Sequence, residues 1–328
     1  RDYYASRGLG DVYKRQVMVT GGTGFLGTAL VQALKSSGHE VILTTRKQEN
    51  PEQGIYNLGD ISANTNWLNL LQGCDTVIHT AGRAHILNDD AQDALAEFRR
   101  VNHDATMKLA SDAATSGVKH FIFVSSIGVN GNATSGIPFT EASEPQPTSD
   151  YAISKREAEQ SLLNQFAESD MAITIVRPAL ICGENAPGNI QRLLKLVSKN
   201  LPLPFKNVRN KRALVSLDNV VSFINECVVN EKSKNQLYLL ADVERPSTAD
   251  MINAFASGMG IKAKLVSFPT GIFRLLLSSV GKRGIYDQLF GDLEVDASKS
   301  REHLNWTPPI TLYETMKKTA KYYIEGNK

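Results

Sequence analysis

The chain has 328 residues, of which 42% are hydrophobic and 21% are charged, and its formal net charge at pH 7 is +2. This length allows two domains, or one large domain with a smaller one attached. The ordinary apolar content argues against general disorder, and the interspersed charges form no basic run that would indicate nucleic-acid binding. Three widely spaced cysteines without a C-x-x-C pair are typical of a reducing compartment, so we expect a cytoplasmic protein.

Residues 1–16 mix charged residues, tyrosine and glycine without the periodicity of a helix or a strand. They lack the apolar stretch of a secretory signal. We expect this leader to be foreign to the fold, as a cloning or assembly scar would be. The alternative is a native disordered tail.

From Val17 to about Arg177, short β-branched runs alternate with longer amphipathic stretches. Strands that are apolar on both faces and are separated by helices indicate a parallel sheet covered on both sides. The pattern predicts an α/β fold with a doubly wound parallel sheet, the Rossmann class, over residues 17–178. The predicted strands are 17–20, 41–44, 76–79, 121–124 and 173–176, and the predicted helices are 25–37, 67–71, 91–116 and 151–168.

After Arg177, frequent prolines break the chain into short pieces. We expect residues 179–328 to form a smaller α/β lobe that binds substrate, with some segments returning to the first domain. No run in the whole chain reaches the ~18–20 apolar residues that a membrane helix needs. The histidines show no spacing typical of a metal site.

The segment T-G-G-T-G-F-L-G at 20–27 lies between the first predicted strand and the first predicted helix. Gly21 permits a tight turn, Gly24 lacks the Cβ that would block a pyrophosphate, and Gly27 lets the helix pack on the sheet. The helix N-terminus then offers free N–H groups to phosphates. This context favours a dinucleotide site over a merely structural turn, with these binding residues: Gly21, Thr23, Gly24, Phe25, Leu26 and Gly27.

The residues after the second strand bear on which dinucleotide binds. An Asp or Glu there would accept hydrogen bonds from the ribose of NAD, but this chain has T-T-R-K at 44–47. Arg46 can grip the extra phosphate of NADP bidentately, so NADP(H) is favoured and NAD stays possible. The alternative is that Arg46 is a solvated loop charge. Asp60, followed by Ile61, could lie near the adenine amino group or could simply be a loop residue or helix cap.

Tyr151 and Lys155 are spaced i and i+4, which places both on one face of a helix. A free tyrosine, with a pKa of ~10, is a poor base, and a lysine cation one turn away favours the phenolate. Tyr151 could then exchange the proton that accompanies hydride transfer, while Lys155 also bonds the nicotinamide ribose. Ser126 ends a strand at the edge that faces the ligand crevice, where its hydroxyl could hold the substrate oxygen. Taken alone, a Y-x-x-x-K pair is usually a surface pair; the glycine turn upstream favours a catalytic one.

Together these segments resemble the extended short-chain dehydrogenases/reductases, in their NAD(P)-dependent epimerase/dehydratase branch. The resemblance implies that Ser126, Tyr151 and Lys155 are catalytic. The cofactor site that it implies also includes Ala81, Gly82, Asn102, Lys155 and Pro178. The similar motifs are T-G-G-T-G-F-L-G at 20–27, H-T-A-G at 79–82, V-N at 101–102, F-V-S-S at 123–126, Y-A-I-S-K at 151–155 and R-P at 177–178.

The resemblance further implies a nucleotide-sugar substrate linked to UDP. Arg212 precedes the segment at 214–220, where sugar-nucleotide members have an arginine that grips the diphosphate, and Asn189 lies in a segment similar to the family's substrate-side helix. Arg83 and His85 follow a strand at the crevice and could touch substrate, or could be solvated. The subgroup that the chain resembles contains bacterial UDP-hexose 4-epimerase-like proteins and 4-keto-sugar reductases of surface-polysaccharide pathways.

The leading expectation is an oxidoreductase acting at C4 of a nucleotide sugar, either a UDP-hexose 4-epimerase or a UDP-4-keto-sugar reductase. The chain departs from many sugar epimerases at Arg46, at V-N-G (129–131) and at I-C-G-E (181–184), and a pocket for NADP tilts the expectation slightly towards net reduction. One alternative is an NADPH-dependent reductase of a non-sugar ketone. Another is a non-catalytic NAD(P)-binding regulatory protein. The resemblance also implies a homodimer formed through the helices at 91–116 and 151–168; the alternative is that their apolar faces pack within one chain.

Overall fold

The strands alternate with helices along most of the chain. A computed structural model describes residues 15–47, 49–84, 93–267 and 289–326. The strands are β1 (Gln16–Thr20), β2 (Glu40–Thr45), β3 (Ile55–Asn57), β4 (Thr76–His79), β5 (His120–Val124), β6 (Ala172–Pro178), β7 (Leu180–Cys182), β8 (Leu214–Ser216) and β9 (Leu237–Leu240).

The helices are α1 (Phe25–Ser36), α2 (Leu68–Leu71), α3 (Ala94–Arg99), α4 (Ala105–Thr115), α5 (Asp150–Gln165), α6 (Asn189–Ser198), α7 (Leu217–Val229), α8 (Thr248–Gly258), α9 (Ser298–Glu302) and α10 (Leu312–Glu325). A π-helical turn, Arg100–Asp104, joins α3 to α4, so the helix predicted over 91–116 changes its winding in the middle. Short 3-10 turns lie at Pro51–Gln53, Ile127–Val129 and Glu231–Ser233. None of the helices in the described ranges is long and apolar enough to cross a membrane.

The central sheet confirms the predicted doubly wound α/β class. Within the described ranges, seven strands form one sheet in the order β3-β2-β1-β4-β5-β6-β9, and each neighbouring pair is parallel. The chain therefore runs outwards in one direction from β1 and in the other direction from β4. Ligands bind at such a switch point in open parallel sheets, beyond the carboxyl ends of the strands.

Helices cover both faces of the sheet, which explains why its strands are apolar throughout. Successive side chains of a strand point to opposite faces. Val17 and Val19 of β1 therefore belong to one hydrophobic cluster, while Met18 belongs to another, with Phe121 and Phe123 of β5. A parallel sheet buried on both sides needs this continuous apolar pattern.

Residues after Arg177 contribute both to this sheet and to a separate cluster. β9 pairs with β6 as the outermost strand on that side. β7 and β8 form their own two-stranded parallel sheet. A third hydrophobic cluster forms mainly from α6, α8 and α10, and Phe25 at the start of α1 packs against it.

A buried ion pair fixes α5 on β6. Arg177 donates from Nε to Glu159 at 2.9 Å, and from a terminal nitrogen to the same carboxylate at 2.5 Å. Its other terminal nitrogen donates to Asn130 at 2.9 Å. The side chains of Arg177 and Glu159 are 2% and 0% exposed. Because Glu159 lies eight residues after Tyr151 on one helix, this pair sets the position of that whole helix on the sheet.

Replacing Glu159→Gln should lower the free energy of unfolding by about 3–5 kcal/mol, since it leaves the buried Arg177 cation without its counter-charge. Glu157→Gln on the same helix is the matched control. It removes the partner of Arg99 from an exposed pair, a change that costs about 1 kcal/mol or less. Urea unfolding of both variants measures the difference, and equal losses would contradict the structural role of the buried pair.

Candidate active site

The glycine turn packs directly on the segment that follows β4. Gly21 has a φ of +68°, and a Cβ on it would lie 2.9 Å from the backbone nitrogen of Ala81. A Cβ on Gly27 would overlap the carbonyl oxygen of Gly21, so α1 approaches the turn as closely as backbone permits. Thr23 and Gly24 are exposed at the top of the turn. The turn therefore requires glycine at both positions and presents its own backbone to solvent.

The N-terminus of α1 is open to an anion. Gly24 occupies the N-cap position and provides no side-chain hydrogen bond, and the first turn contains no acidic residue. Phe25 is half-buried, whereas Leu26 is buried against the sheet. The first N–H groups of a helix lack intrahelical partners and carry the positive end of its dipole. The turn and this helix end fit the diphosphate of a dinucleotide.

Arg46 and Asp60 lie together beyond the ends of β2 and β3. A terminal nitrogen of Arg46 is 3.9 Å from the Asp60 carboxylate, and both side chains are 78% exposed. Ile61 is half-buried and packs against the hydrophobic cluster that contains Met18 and Phe121. An exposed pair at this distance contributes little stability, so both charges stay available to a ligand.

Tyr151 and Ser126 meet at the carboxyl edge of β5. Tyr151 is the second residue of α5, half-buried, with its ring 6.3 Å from that of Phe98 in an edge-on arrangement. Ser126 accepts a hydrogen bond from the backbone N–H of Gly128 at 3.1 Å, which orients its hydroxyl. Burial raises the pKa of Tyr151 to about 12, and its hydrogen bond with Ser126 offsets part of that rise.

Lys155 lies one turn along α5 and is 3% exposed. Its Nζ donates to the carbonyl oxygen of Val124 at 2.9 Å and lies 4.4 Å from the centre of the Phe123 ring. Burial lowers the pKa of Lys155 to about 8, and the charge of Glu159 opposes that shift. The sequence predicted that this lysine lowers the pKa of Tyr151, but burial dominates and raises it.

Asn102, in the π-helical turn, joins the segment after β4 to α5. Its Oδ1 accepts from the backbone N–H of Arg83 at 2.7 Å, and its Nδ2 donates to the Arg83 carbonyl oxygen at 3.1 Å and to Ser154 Oγ at 3.0 Å. Ser154 in turn donates to the carbonyl oxygen of Tyr151 at 2.8 Å. A Cβ on Gly82 would lie 3.1 Å from the Asn102 oxygen. The side-chain amide of Asn102 thus hydrogen-bonds the backbone of Arg83 on one side and Ser154 of α5 on the other.

Other predicted residues surround this centre. The backbone N–H of Ala81 donates to Thr20 Oγ1 at 3.3 Å. The Arg83 guanidinium lies 5.5 Å from the centre of the Phe98 ring. Pro178 is the buried last residue of β6. His85 lies outside the described residues.

The two residues predicted to bind the substrate diphosphate and sugar lie in the C-terminal part of the chain. Arg212 is half-buried, and its guanidinium donates to the carbonyl oxygen of Gly291 at 3.2 Å. Burial lowers the pKa of Arg212. Asn189 is the exposed first residue of α6 and accepts a hydrogen bond from Arg192 at 3.2 Å.

Three supporting residues were not singled out from the sequence. Phe123 lies under the Lys155 ammonium, Phe98 contacts Tyr151, and Ser154 bonds Asn102. Phe123 and Ser154 stand inside the quoted motifs, so their positions were visible but their contacts were not. No local signal pointed to Phe98, because its contact with Tyr151 spans a long stretch of chain.

The chain is similar to known proteins in sequence and in fold. The sequence profile of the NAD dependent epimerase/dehydratase family matches residues 17–240. A protein named UDP-glucose 4-epimerase from Vibrio cholerae is 38% identical over 317 residues, which cover 95% of this chain and 97% of that protein. Two solved structures share the fold at 20% identity. They are the UDP-glucose 4-epimerase of Thermotoga maritima with UDP-glucose (TM-score 0.74, covering 95% of this chain and 100% of that one) and the UDP-glucuronic acid 4-epimerase of Bacillus cereus with UDP-glucuronic acid and NAD (0.75, 94% and 99%).

The Lys155 ammonium should lose its proton with a midpoint near pH 8. Since the same lysine in the unfolded chain keeps its proton up to a pKa of about 10.4, the folded state binds fewer protons between these values. The free energy of unfolding should therefore rise with pH across that window, by at most about 1.4 kcal/mol per pH unit from this group. Lys155→Met should lack that contribution.

Titration of ¹³Cε-labelled lysine by NMR measures the midpoint, and the signal missing from Lys155→Met assigns it. A midpoint above pH 10 would contradict the burial of the ammonium in this site.

Proposed function

Because this chain belongs to the NAD dependent epimerase/dehydratase family, we propose that it interconverts UDP-hexoses that differ in configuration at C4. The observation that carries the proposal is the contact of Tyr151 with Ser126 beside the buried Lys155 ammonium, at the edge of the sheet where the glycine turn opens. The relative from Vibrio cholerae, similar over nearly its whole length, supports a UDP-glucose substrate.

The glycine turn and the N-terminus of α1 hold the diphosphate of NAD(P) in this proposal. Gly21 and Gly27 leave no room for a side chain, and Gly24 keeps the helix end open to an anion. Gly82 exposes backbone near Lys155, whose ammonium would bond the nicotinamide ribose in this proposal. A bound nicotinamide would supply the hydride acceptor and the hydride donor for C4 of the sugar.

Tyr151 exchanges the proton of the sugar O4, and Ser126 orients that oxygen. With a pKa near 12, the phenol is protonated at neutral pH and is ready to donate to the oxygen of a 4-keto sugar. In the opposite direction it is the Tyr151 phenolate that takes the O4 proton and becomes the neutral phenol, and the Lys155 cation stabilises this phenolate before the transfer. Return of hydrogen to the other face of the 4-keto sugar gives the C4 epimer.

Residues 179–328 supply the substrate side of the site in this proposal, together with the segment after β4. Arg212 binds the diphosphate, because a half-buried guanidinium donates strongly to phosphate oxygens. Asn189, Arg83 and His85 bind the remainder of the nucleotide sugar. We further propose that the protein is a cytoplasmic homodimer, with α4 and α5 at the interface.

Arg46 selects the cofactor. β2 ends without a carboxylate for the ribose hydroxyls, and the exposed Arg46 guanidinium stands there instead. A guanidinium suits the extra phosphate of NADP(H), which we propose binds more tightly than NAD(H).

Tyr151→Phe should reduce epimerisation of UDP-glucose by about 100- to 10,000-fold, the usual contribution of a general acid–base group. The urea midpoint should change little, since the aromatic ring and its contact with Phe98 are retained. Tyr313→Phe, at an exposed position on α10, is the matched control and should keep full activity. Product is followed by chromatography of the two UDP-hexoses. Turnover by Tyr151→Phe at the rate of the control would overturn the assignment.

Arg46→Ser should weaken NADP(H) binding by about 10- to 100-fold, because a hydrogen bond to a charged group contributes about 1.5–3 kcal/mol and each 1.4 kcal/mol is tenfold. Its affinity for NAD(H) should change little. Lys35→Ser, which removes an exposed cation from the far end of α1, controls for net charge. Nicotinamide fluorescence titration gives the affinities of all three proteins for NADPH and for NADH. Tighter binding of NADH than of NADPH by the unaltered protein would contradict the cofactor preference.

A further inference from the structure

His79, the last residue of β4, is completely buried beneath the candidate site. Both of its ring nitrogens have partners. Nδ1 lies 2.6 Å from Thr20 Oγ1 at the end of β1, and Nε2 lies 2.9 Å from Thr106 Oγ1 on α4. One imidazole therefore joins the strand that leads into the glycine turn to the helix that follows Asn102.

The direction of these hydrogen bonds is fixed. Thr106 donates its single hydroxyl proton to the carbonyl oxygen of Asn102 at 2.8 Å, so it must accept from an N–H on Nε2 of His79. Nδ1 is then unprotonated and accepts from the Thr20 hydroxyl. Burial and the charge of Lys155 lower the pKa of His79 to about 3, so the ring is neutral near physiological pH.

The His79 ring also supports the other half of the site. It stacks on Phe123 with the ring centres 5.9 Å apart and the planes 20° apart. The same phenyl ring lies under the Lys155 ammonium, 4.4 Å from Nζ to the ring centre. Two paths thus lead from His79 to α5: one passes through Phe123 to Lys155, and one passes through Thr106 and Asn102 towards Tyr151.

We propose that His79 is a positioning residue that fixes the glycine turn relative to α5, and so aligns the Tyr151 hydroxyl with the nicotinamide site. The inference rests on the proposed function, which places cofactor and sugar between these two elements. A displacement of about 1 Å between reacting groups is enough to lower a rate by about 100-fold. A small shift of the glycine turn relative to α5 should therefore lower kcat measurably.

A second buried histidine provides a matched control. His120, the first residue of β5, lies 2.7 Å from Thr174 Oγ1 through its Nε2, and Thr174 donates to the carbonyl oxygen of Ser233 at 2.7 Å. Burial lowers the pKa of His120 to about 3 as well. Both histidines thus bond a buried threonine through Nε2, although Nδ1 of His120 has no hydrogen-bond partner among the described residues. His120 begins its strand whereas His79 ends one, so the two lie at opposite edges of the sheet.

The test compares Thr106→Val with Thr174→Val, and His79→Leu with His120→Leu. Each valine removes one buried hydroxyl with little change in volume. Thr106→Val should lower kcat for UDP-glucose at least tenfold while the KM for UDP-glucose stays within about threefold, because Arg212 and Asn189 lie far along the chain and do not bond Thr106 or Asn102. Thr174→Val should lose a similar amount of thermal stability and keep kcat within about twofold of the unaltered protein.

Equal losses of kcat in Thr106→Val and Thr174→Val would overturn the positioning role and leave the proposed function intact. Absence of any epimerisation by the unaltered protein would instead defeat the proposed function. In that case, hydrogen–deuterium exchange of the backbone amides at 150–157 tests the positioning role of His79 without an activity measurement. Faster exchange in Thr106→Val than in Thr174→Val supports it, and equal exchange contradicts it. If His79→Leu does not fold, the comparison of Thr106→Val with Thr174→Val remains the test.

Discussion

The candidate site depends on one geometric constraint, which is that neighbouring parallel strands end at the same edge of the sheet. β1, β4 and β5 are adjacent, and the residues just beyond them are the glycine turn, Gly82 and Ser126. No one of these segments forms a site alone. The sheet brings them within reach of α5, and the long, buried ladder of backbone hydrogen bonds holds that arrangement rigidly.

The second requirement is that buried charges on α5 be compensated. Lys155 and Glu159 follow Tyr151 at intervals of four residues, so all three lie along one face of the helix. The ammonium is stabilised by a carbonyl oxygen and a phenyl ring, and the carboxylate is stabilised by Arg177. A buried charge without such partners would be strongly destabilising. The same contacts that make α5 stable on the sheet therefore also define the orientation of Tyr151.

The sequence allowed the main strands, the glycine turn and the Tyr151–Lys155 pair to be predicted, because local periodicity and spacing encode them directly. The short β3 was not foreseen, and the place of β9 beside β6 could not be read from its own residues, because pairing depends on distant partners. The direction of the Tyr151 pKa shift was also missed. Spacing alone places a lysine nearby, but it does not reveal that the Val124 carbonyl oxygen accepts from the ammonium or that burial dominates the pKa of the phenol.

The most direct test of the account follows the hydrogen at C4 of the sugar. UDP-glucose carrying deuterium at C4 is equilibrated with the protein in ordinary water, and the UDP-galactose formed is analysed by mass and NMR. Deuterium should be retained at C4, because a bound nicotinamide would take up that hydrogen as hydride and return it, while Tyr151 exchanges only the hydroxyl proton. Product that has exchanged its C4 deuterium for solvent hydrogen would contradict the account.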